Sequence, residues 1–575
     1  MRNKEVAQLL SNFAVFLEMD DVPFKPRAYE KAAETIEALG EDIEEIYRMG
    51  GTKALEEIPG VGKGIAKKIE EYLKTGSVKE YNALAKKIPV KLAELRSIEG
   101  VGPKTIKTLY RKLHITNIAS LKKAALAQKI RRLPHFGLQS EEKILKGIEF
   151  HERSQGRFLL GEALPMARLY LERIRGIRGV KCVEVAGSLR RWQETIGDLD
   201  FLVIADDPER VMDAFVRLPG VRHVYAKGET KSSVRLTSGL DMDIRIIPRE
   251  SYGAALQYFT GSKDHNVIAR KIAVKKRLKL NEYGLFRGKK RIAGETEESI
   301  YKALGLATPI PELRQGRDEL ERVWHNIVES KDLRGDLQTQ TDWTDGSDSI
   351  RDMALEAQKL GHEYIAITDH TKSLAMTGGA DEKKLLKQMR EIDRINRTLD
   401  GVVLLKGAEV NITRDGSLDI SDDVLARLDI VGAAIHSHFG FSAADQTRRL
   451  VRAMENPHVD IIFHPTGRVL GKREPYALYI KDVVASARRT GTVLEIDAHP
   501  FRLDLKDEHI REAAGAGCFF AIDSDAHRVQ ELLYLEYGVG QARRAGLAKD
   551  RVINTYPLKK LKAFLSKPKK RRFPL

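Results

Sequence analysis

The chain has 575 residues, 42% of them hydrophobic, which is enough for several domains with cores of their own, and 98 Lys and Arg stand against 82 Asp and Glu. The formal net charge of +16 points to a polyanionic partner, nucleic acid first. Cys182 and Cys518 lie far apart with no CxxC spacing, which argues against a disulfide framework or thiolate zinc site, and no apolar run approaches membrane-spanning length, so a soluble cytoplasmic protein without membrane contact is expected.

Residues 1–150 read as short helices, with apolar residues at spacings of three and four, as in Val6, Leu9, Leu10, Phe13, Phe16 and Leu17. A weak repeat lies inside them. Ile58 to Ile69 (IPGVGKGIAKKI) is echoed by Ile98 to Leu109 (IEGVGPKTIKTL), each a helix, a Gly-x-Gly turn and a second helix. Gly60, Gly62, Gly100 and Gly102 permit a tight turn whose N–H groups face outward at a helix start, where an anion is favoured, with Lys63 and Lys104 beside them. One copy is explained equally well by a glycine-capped hairpin; two copies followed by lysines favour phosphate binding. The segments resemble helix-hairpin-helix elements.

From 151 to 250 the pattern becomes a helix, Leu164 to Arg175, then strands at Val180 to Ala186, Asp198 to Ile204, Ser232 to Leu236 and Met242 to Ile247, an α+β layer. Ser251 to about Leu304 reads as short helices and turns, and Pro309-Ile310-Pro311 precedes an expected charged connecting helix. Beyond Leu333 strands and helices alternate, with strands expected at Tyr364 to Thr368, Val402 to Leu405, Ile430 to Ala434, Ile461 to His464, Val493 to Ile496 and Phe519 to Ile522. That rhythm predicts a barrel-like α/β domain with its site at the strand C-terminal ends.

The stretch Gly187 to Asp200, GSLRRWQETIGDLD, carries the clearest chemistry. Strand periodicity puts Asp198 and Asp200 on one face, and Asp243 in DMDIRI supplies a third carboxylate from a strand able to lie beside them. Three clustered carboxylates call for divalent cations, and two Mg²⁺ or Mn²⁺ would activate a hydroxyl and stabilise a leaving pyrophosphate. Gly187, Ser188 and the Arg190-Arg191 pair add small and cationic groups for a triphosphate. Taken alone, GDLD is an ordinary turn before a strand.

The long motif, followed by DMDIRIIP and Tyr258-Phe259-Thr260-Gly261-Ser262, resembles the family X DNA polymerases, from the N-terminus to about residue 315. The resemblance implies Asp198, Asp200 and Asp243 as catalytic metal ligands. Asp243 would accept the 3′-hydroxyl proton. Ser188, Arg191 and Arg157 would hold the triphosphate, Tyr258, Phe259, Gly261 and Ser262 would line the sugar, and Lys263, Asn266 and Arg270 would lie near the nascent base pair. Lys25, Tyr29 and Lys68 match the family's 5′-phosphate and Schiff-base positions, while Gly64 replaces one of its phosphate-binding lysines. Phosphate binding explains Lys68 and is favoured over a lyase role.

In the last domain Asp345, Asp369-His370, Glu409, His436, His438, His464 and Asp525-x-His527 recur near strand ends, a mixed N/O set suited to Mn²⁺ or Zn²⁺. The order resembles a PHP domain, the polymerase and histidinol phosphatase module, over about 333–575. In family X polymerases that module supplies 3′→5′ exonuclease and other phosphoesterase activity, AP endonuclease among them. Asp345, His370, Glu409, His436, His464, Asp525 and His527 would be the metal ligands. Where the family has His-x-His, this chain has Gln338 and Gln340, so one metal position is expected to be weakened and occupancy incomplete.

The expected organisation is an all-α helix-hairpin-helix region, an α+β nucleotidyltransferase palm and thumb, and a distorted β/α barrel. Its parts are an N-terminal 5′-phosphate-binding domain at 1–85, a fingers-like DNA-binding subdomain at 86–150, a palm at 151–250, a thumb at 251–315, a linker at 316–332 and the PHP domain at 333–575. The expected function is DNA-directed synthesis across short gaps in base excision repair. Its partners would be gapped or nicked DNA and deoxynucleoside triphosphates, the chain acting as a monomer alongside repair proteins such as ligase or AP endonuclease. The alternatives are a DNA-end binding or bridging protein, a small-molecule phosphoesterase, and an active PHP nuclease despite the glutamines. The basic run Lys567 to Arg572 reads as a solvated tail or a DNA tether.

Overall fold

The computed structural model describes residues 2–20, 22, 25–37, 39, 42–96, 98, 101–134, 136–153, 156–374 and 377–573. The chain divides into two compact units, 1–155 with the short segment 471–473, and the remainder.

The first unit is helical, with no strand among its described residues up to 153. Its opening helix, Asn3–Met19, serves two cores. Val6, Leu10, Phe13 and Leu17, spaced by four and three, join Tyr29, Ile36, Ile65 and Ile69. Val15, Phe16 and Met19, on another side, join Leu95, Ile106, Leu109 and Ile148. The two repeated turns each lead into a helix, Lys63–Thr75 and Pro103–Leu113, capped by extended Gly62 and Gly102.

In the second unit a five-stranded mixed sheet is built from β1 (Val180–Val185), β2 (Asp198–Ala205), β3 (Val221–Lys227), β4 (Lys231–Leu236) and β5 (Asp241–Ile246), in the order β1-β2-β5-β4-β3. β2 and β5 are parallel neighbours at its centre. Their inward residues, Leu199, Phe201, Val203, Met242 and Ile244, are buried against helix Leu160–Arg175. β3 was not among the expected strands; it is an exposed edge, without the buried alternation that marks a strand in sequence.

Residues 252–303 form helices Tyr252–Thr260, Lys263–Lys275 and Glu297–Ala303 with a three-stranded antiparallel sheet, Lys279–Asn281, Gly284–Arg287 and Lys290–Ala293, where only turns were expected. Those strands are short and polar, too brief to show a period. The expected charged helix after Pro311 does not form. Its charges are used one at a time: the Glu319 carboxylate accepts from the N–H groups of Gly316 and Arg317 and meets His265, Arg317 pairs with Asp507, and Asp318 with Arg511.

The last part is a nearly closed barrel of seven parallel strands in sequence order: β6 (Gly335–Thr339), β7 (Tyr364–Ile367), β8 (Val403–Asn411), β9 (Ile430–Ala434), β10 (Ile461–Ile462), β11 (Val493–Asp497) and β12 (Phe520–Asp523). The seam between β6 and β12 is closed by the Gln340 N–H to Ala526 carbonyl bond of 2.8 Å and by Asn554, which binds Gly335 O, Ile522 O and Asp523. The basic C-terminal run is docked at two positions, where Lys569 donates to Met454 O and Asn456 O and Arg572 pairs with buried Asp460 at 2.7 Å, while Lys567, Lys570 and Arg571 are exposed. No helix among the described residues is long and apolar enough to cross a membrane.

Candidate active site

The three sheet carboxylates come together through strand register. Asp200 on β2 stands opposite Asp243 on β5, and Asp198 opposite Asp241, so Asp198, Asp200 and Asp243 share the face away from the core. Gly187 sits directly against them: its φ is +63°, and a Cβ there would lie 2.3 Å from Asp200 Oδ2. Only glycine lets the turn approach so closely. Burial first, then the charges of Asp198 and Asp243, push the Asp200 carboxyl up to about 7, and burial with Asp243 raises Asp198. Such a cluster is short of positive charge, and all-oxygen donors suit hard divalent cations.

Asp241 is outside the set, held by Arg235 at 2.8 Å. Two cations that sequence reasoning missed flank the carboxylates. Lys231 Nζ lies 2.8 Å from Asp243 Oδ2, and Arg245, two residues beyond Asp243, stacks over Phe259 at 4.4 Å. Strand alternation puts Arg245 on the carboxylate face and was the available signal; Lys231, on β4, had none without the pairing.

The expected triphosphate groups divide. Arg191 is mostly buried, donates to the Thr260 carbonyl, and has its pKa brought down to about 10 by burial and then by Arg544. Arg190 is committed elsewhere, to Glu297 at 2.7 and 3.0 Å and Thr260 at 2.8 Å. Arg157 is exposed, anchored on Thr195 at 2.9 Å beside Gly197. Ser188 lies in the one-turn helix Gly187–Arg190. Tyr258 and Phe259 meet edge to face, and Gly261 lies 3.3 Å from Arg191 by its added Cβ. Ser262 caps the helix that begins at exposed Lys263. Asn266 is buried and occupied by Gln257 and the Tyr258 carbonyl, while Arg270 is exposed.

In the first unit, Gly62 and Gly102 are exposed at helix starts where an added Cβ would meet nothing within 4 Å, and Lys63 and Lys104 are exposed beside them. Gly60 has the positive φ, +83°, that the turn demands. Gly100 falls outside the described residues. Lys25 is exposed and Tyr29 buried against Phe13. Lys68 Nζ is 2.9 Å from Glu80 Oε2 and near the Phe13 and Tyr29 rings; burial lowers its pKa, but Glu80 and Tyr29 outweigh that and raise it.

The barrel mouth gathers the second set around Glu409, which is fully buried at the end of β8. Glu409 Oε1 lies 2.8 Å from His464 Nε2 and 3.0 Å from His436 Nε2; Oε2 lies 3.3 Å from His370 Nδ1. Asp345 faces His370 at 3.5 Å and His527 at 3.8 Å. Two trios have metal-binding spacing, Asp345–His370–His527 and His370–Glu409–His436. Asp525 meets Arg502 at 3.4 Å, a cation not anticipated. Asp369 is not a ligand: Thr341, Thr344 and Gln388 occupy its carboxylate. His438 is exposed, stacked on Phe441.

Gln338 and Gln340 are fully buried, and both donate Nε2 to Glu409 Oε2, at 3.1 and 2.8 Å. Neither amide oxygen has a hydrogen-bond partner among the described residues, and turning them would set an oxygen against the carboxylate. The pair therefore presents donors where a cation would need acceptors, so neither amide fits a metal in this orientation. The trios Asp345–His370–His527 and His370–Glu409–His436 keep the spacing to hold one.

Residues 255–315 match the family model described as DNA polymerase beta thumb, 1–78 a helix-hairpin-helix domain, and 92–149 a SAM-like helix-hairpin-helix tandem. The chain is 37% identical to the DNA polymerase/3′-5′ exonuclease PolX of Bacillus subtilis (strain 168), over 99% of its own length and 100% of the relative's. The chain belongs to the bacterial-type family X DNA polymerases with a C-terminal PHP domain. Proteins named as probable phosphatases match the PHP part: one from Thermoanaerobacter sp. (strain X514) is 32% identical over 39% of this chain and 90% of its own length, and one from Syntrophotalea carbinolica 30% over 36% and 85%. As a family X polymerase, the protein is a DNA-directed DNA polymerase. Of its two acidic centres, the one on β2 and β5 keeps all its expected ligands.

Proposed function

We propose that this polymerase fills short gaps in DNA during repair and that Asp198, Asp200 and Asp243 carry the transfer. The supporting observation is the β2–β5 register, which sets the three carboxylates on one face with the Gly187 turn against Asp200. Two divalent cations, Mg²⁺ or Mn²⁺, supply an activated 3′-hydroxyl and charge neutralisation on the pyrophosphate when bound. Asp243, whose Oδ2 meets Lys231 Nζ at 2.8 Å, takes the 3′-hydroxyl proton. Ser188, Arg191 and Arg157 hold the triphosphate, with Tyr258, Phe259, Gly261 and Ser262 along the sugar and Lys263 and Arg270 toward the base pair. The open helix starts at Gly62 and Gly102 grip backbone phosphate without reading sequence. In this reading 1–85 binds the 5′-phosphate, 86–150 the duplex, and 151–315 performs the chemistry. The test is single-nucleotide insertion into a one-nucleotide gap whose downstream end carries either phosphate or hydroxyl. Faster insertion with phosphate supports gap filling; equal rates contradict it.

A second reading concerns the barrel: its 3′→5′ exonuclease activity is impaired. The observation favouring it is the donation of both Gln338 and Gln340 to Glu409, in a site whose cations act as a unit. With Mn²⁺ and a labelled primer, little stepwise shortening is expected; robust shortening removed by His436→Ala would sink this reading.

A further inference from the structure

Glu194 lies inside the stretch between the Gly187 turn and β2, and the barrel holds it. Arg468 reaches it with both terminal nitrogens, at 2.7 and 3.2 Å, and Gln541 Nε2 donates at 2.8 Å. Arg544 adds a second positive group at 3.8 Å. These partners lie 274 to 350 residues further along the chain, and the group is almost dry: side-chain exposure is 16% for Glu194, 7% for Arg468 and 6% for Arg544. An ion pair so desolvated fixes geometry because breaking it leaves a buried charge. Burial would raise the Glu194 carboxyl, but Arg468 and Arg544 outweigh it and hold it below its ordinary value.

The neighbouring residue gives a second, independent contact. Trp192 has φ +51°, a region costly for a bulky side chain. Its indole lies against helix Leu535–Ala545, so close that a Cβ on Gly540 would stand 2.5 Å from it, and meets Tyr537 edge to face at 6.1 Å. Across the contact Leu503, φ +47°, gives its carbonyl to Arg468 and its side chain to the palm core. Two bulky residues thus sit in strained backbone on opposite sides of one contact. Such strain persists only where surrounding structure imposes it.

The turn they secure is the proposed triphosphate cradle. Trp192 N–H bonds Leu189 O and Gln193 N–H bonds Ser188 O, closing the turn from its far side, so Trp192 and Glu194 set where Ser188 and Arg191 point. We propose that Glu194 is a positioning residue for nucleotide binding, and that the barrel, through Arg468, Gln541 and the Gly540 face, is the support that fixes the Gly187–Arg191 turn. The barrel then serves the polymerase reaction whatever its own mouth does. The inference rests on the reading of that turn as the triphosphate site.

The test is steady-state single-nucleotide insertion by full-length wild type, Glu194→Gln, Gly540→Ala and Arg191→Ala, with thermal unfolding of each. Gly540→Ala removes no charge while pressing directly on Trp192, and its unfolding curve establishes that it is folded at the assay temperature. Both positioning variants are expected to raise KM for the nucleotide by about tenfold and leave kcat within about threefold, the pattern of lost binding geometry. KM within about twofold of wild type in folded Gly540→Ala, with Arg191→Ala strongly raised, overturns the positioning role alone. An unchanged KM in Arg191→Ala removes the triphosphate reading and the inference with it.

Discussion

Gln340 Nε2 lies 2.8 Å from Glu409 Oε2, with Gln338 Nε2 at 3.1 Å from the same oxygen. The buried carboxylate is thus satisfied by amide donors, while His370 and His436 outweigh the effect of burial and keep it well below the usual carboxylate range. Charge that a cation would neutralise is met by the protein itself. In an Asp200→Ala background, Gln338→His with Gln340→His is expected to bind more Mn²⁺ per chain than the background alone, read as metal content after equilibrium dialysis. Equal metal content would show that the glutamines exclude nothing.

The palm carboxylates respond to pH and metal in the opposite sense. Asp200 titrates near 7 in the fold against an ordinary 3.8, so the metal-free native state holds its proton where the unfolded chain has lost it. The group costs nothing below its ordinary pKa, and its cost grows as pH rises toward 7. Asp200→Asn is therefore expected to raise the unfolding temperature in chelator at pH 8 by a few degrees and to shrink the stabilisation given by Mg²⁺. A lower unfolding temperature in chelator would contradict the crowding of charge.

How much of this was legible depended on the range of the interaction. Asp198 and Asp200 were readable because strand alternation is local, and Asp243 because its segment repeats that pattern. Gly187 read only as a small residue for a triphosphate, and its close approach to Asp200 required the fold. Glu194 meeting Arg468 and Gln541 left no local trace, since the partners are hundreds of residues apart and each reads as an ordinary surface charge or amide. The same limit explains Arg190, whose bond to Glu297 distinguishes it from Arg191 only in three dimensions, and the expected helix after Pro311, where Glu319 capped a turn instead. Gln338 and Gln340 were visible as departures, but their donor orientation required the fold.

Glu297 makes the acid limit of the palm and thumb. Burial would raise it, yet Arg314 and Arg190 hold it down to about 2. A depressed carboxyl stabilises the fold above its ordinary value of 4.5 and loses that contribution as pH falls toward 2, about 3 kcal/mol at 1.4 kcal/mol per unit. Denaturant unfolding between pH 5 and 2.5 is expected to show a steeper loss in wild type than in Glu297→Gln, which starts less stable. Parallel curves would remove the pair from the acid response.

Glu80 and Tyr29 favour the ammonium form of Lys68, so weak Schiff-base nucleophilicity is expected near neutral pH. Borohydride trapping on a 5′-deoxyribose-phosphate end is expected to be weak in wild type and stronger in Glu80→Gln. Strong trapping by wild type, abolished in Lys68→Ala, would establish the lyase instead.

The most direct test of the whole account is extension of a labelled primer on a gapped duplex with Mg²⁺ or Mn²⁺, comparing wild type with Asp200→Ala and reading growth and shortening of the primer on one gel. The account predicts growth by wild type, a loss of at least about a thousandfold in Asp200→Ala, and little shortening by either. Growth that survives Asp200→Ala, or shortening by wild type as fast as growth, would contradict it.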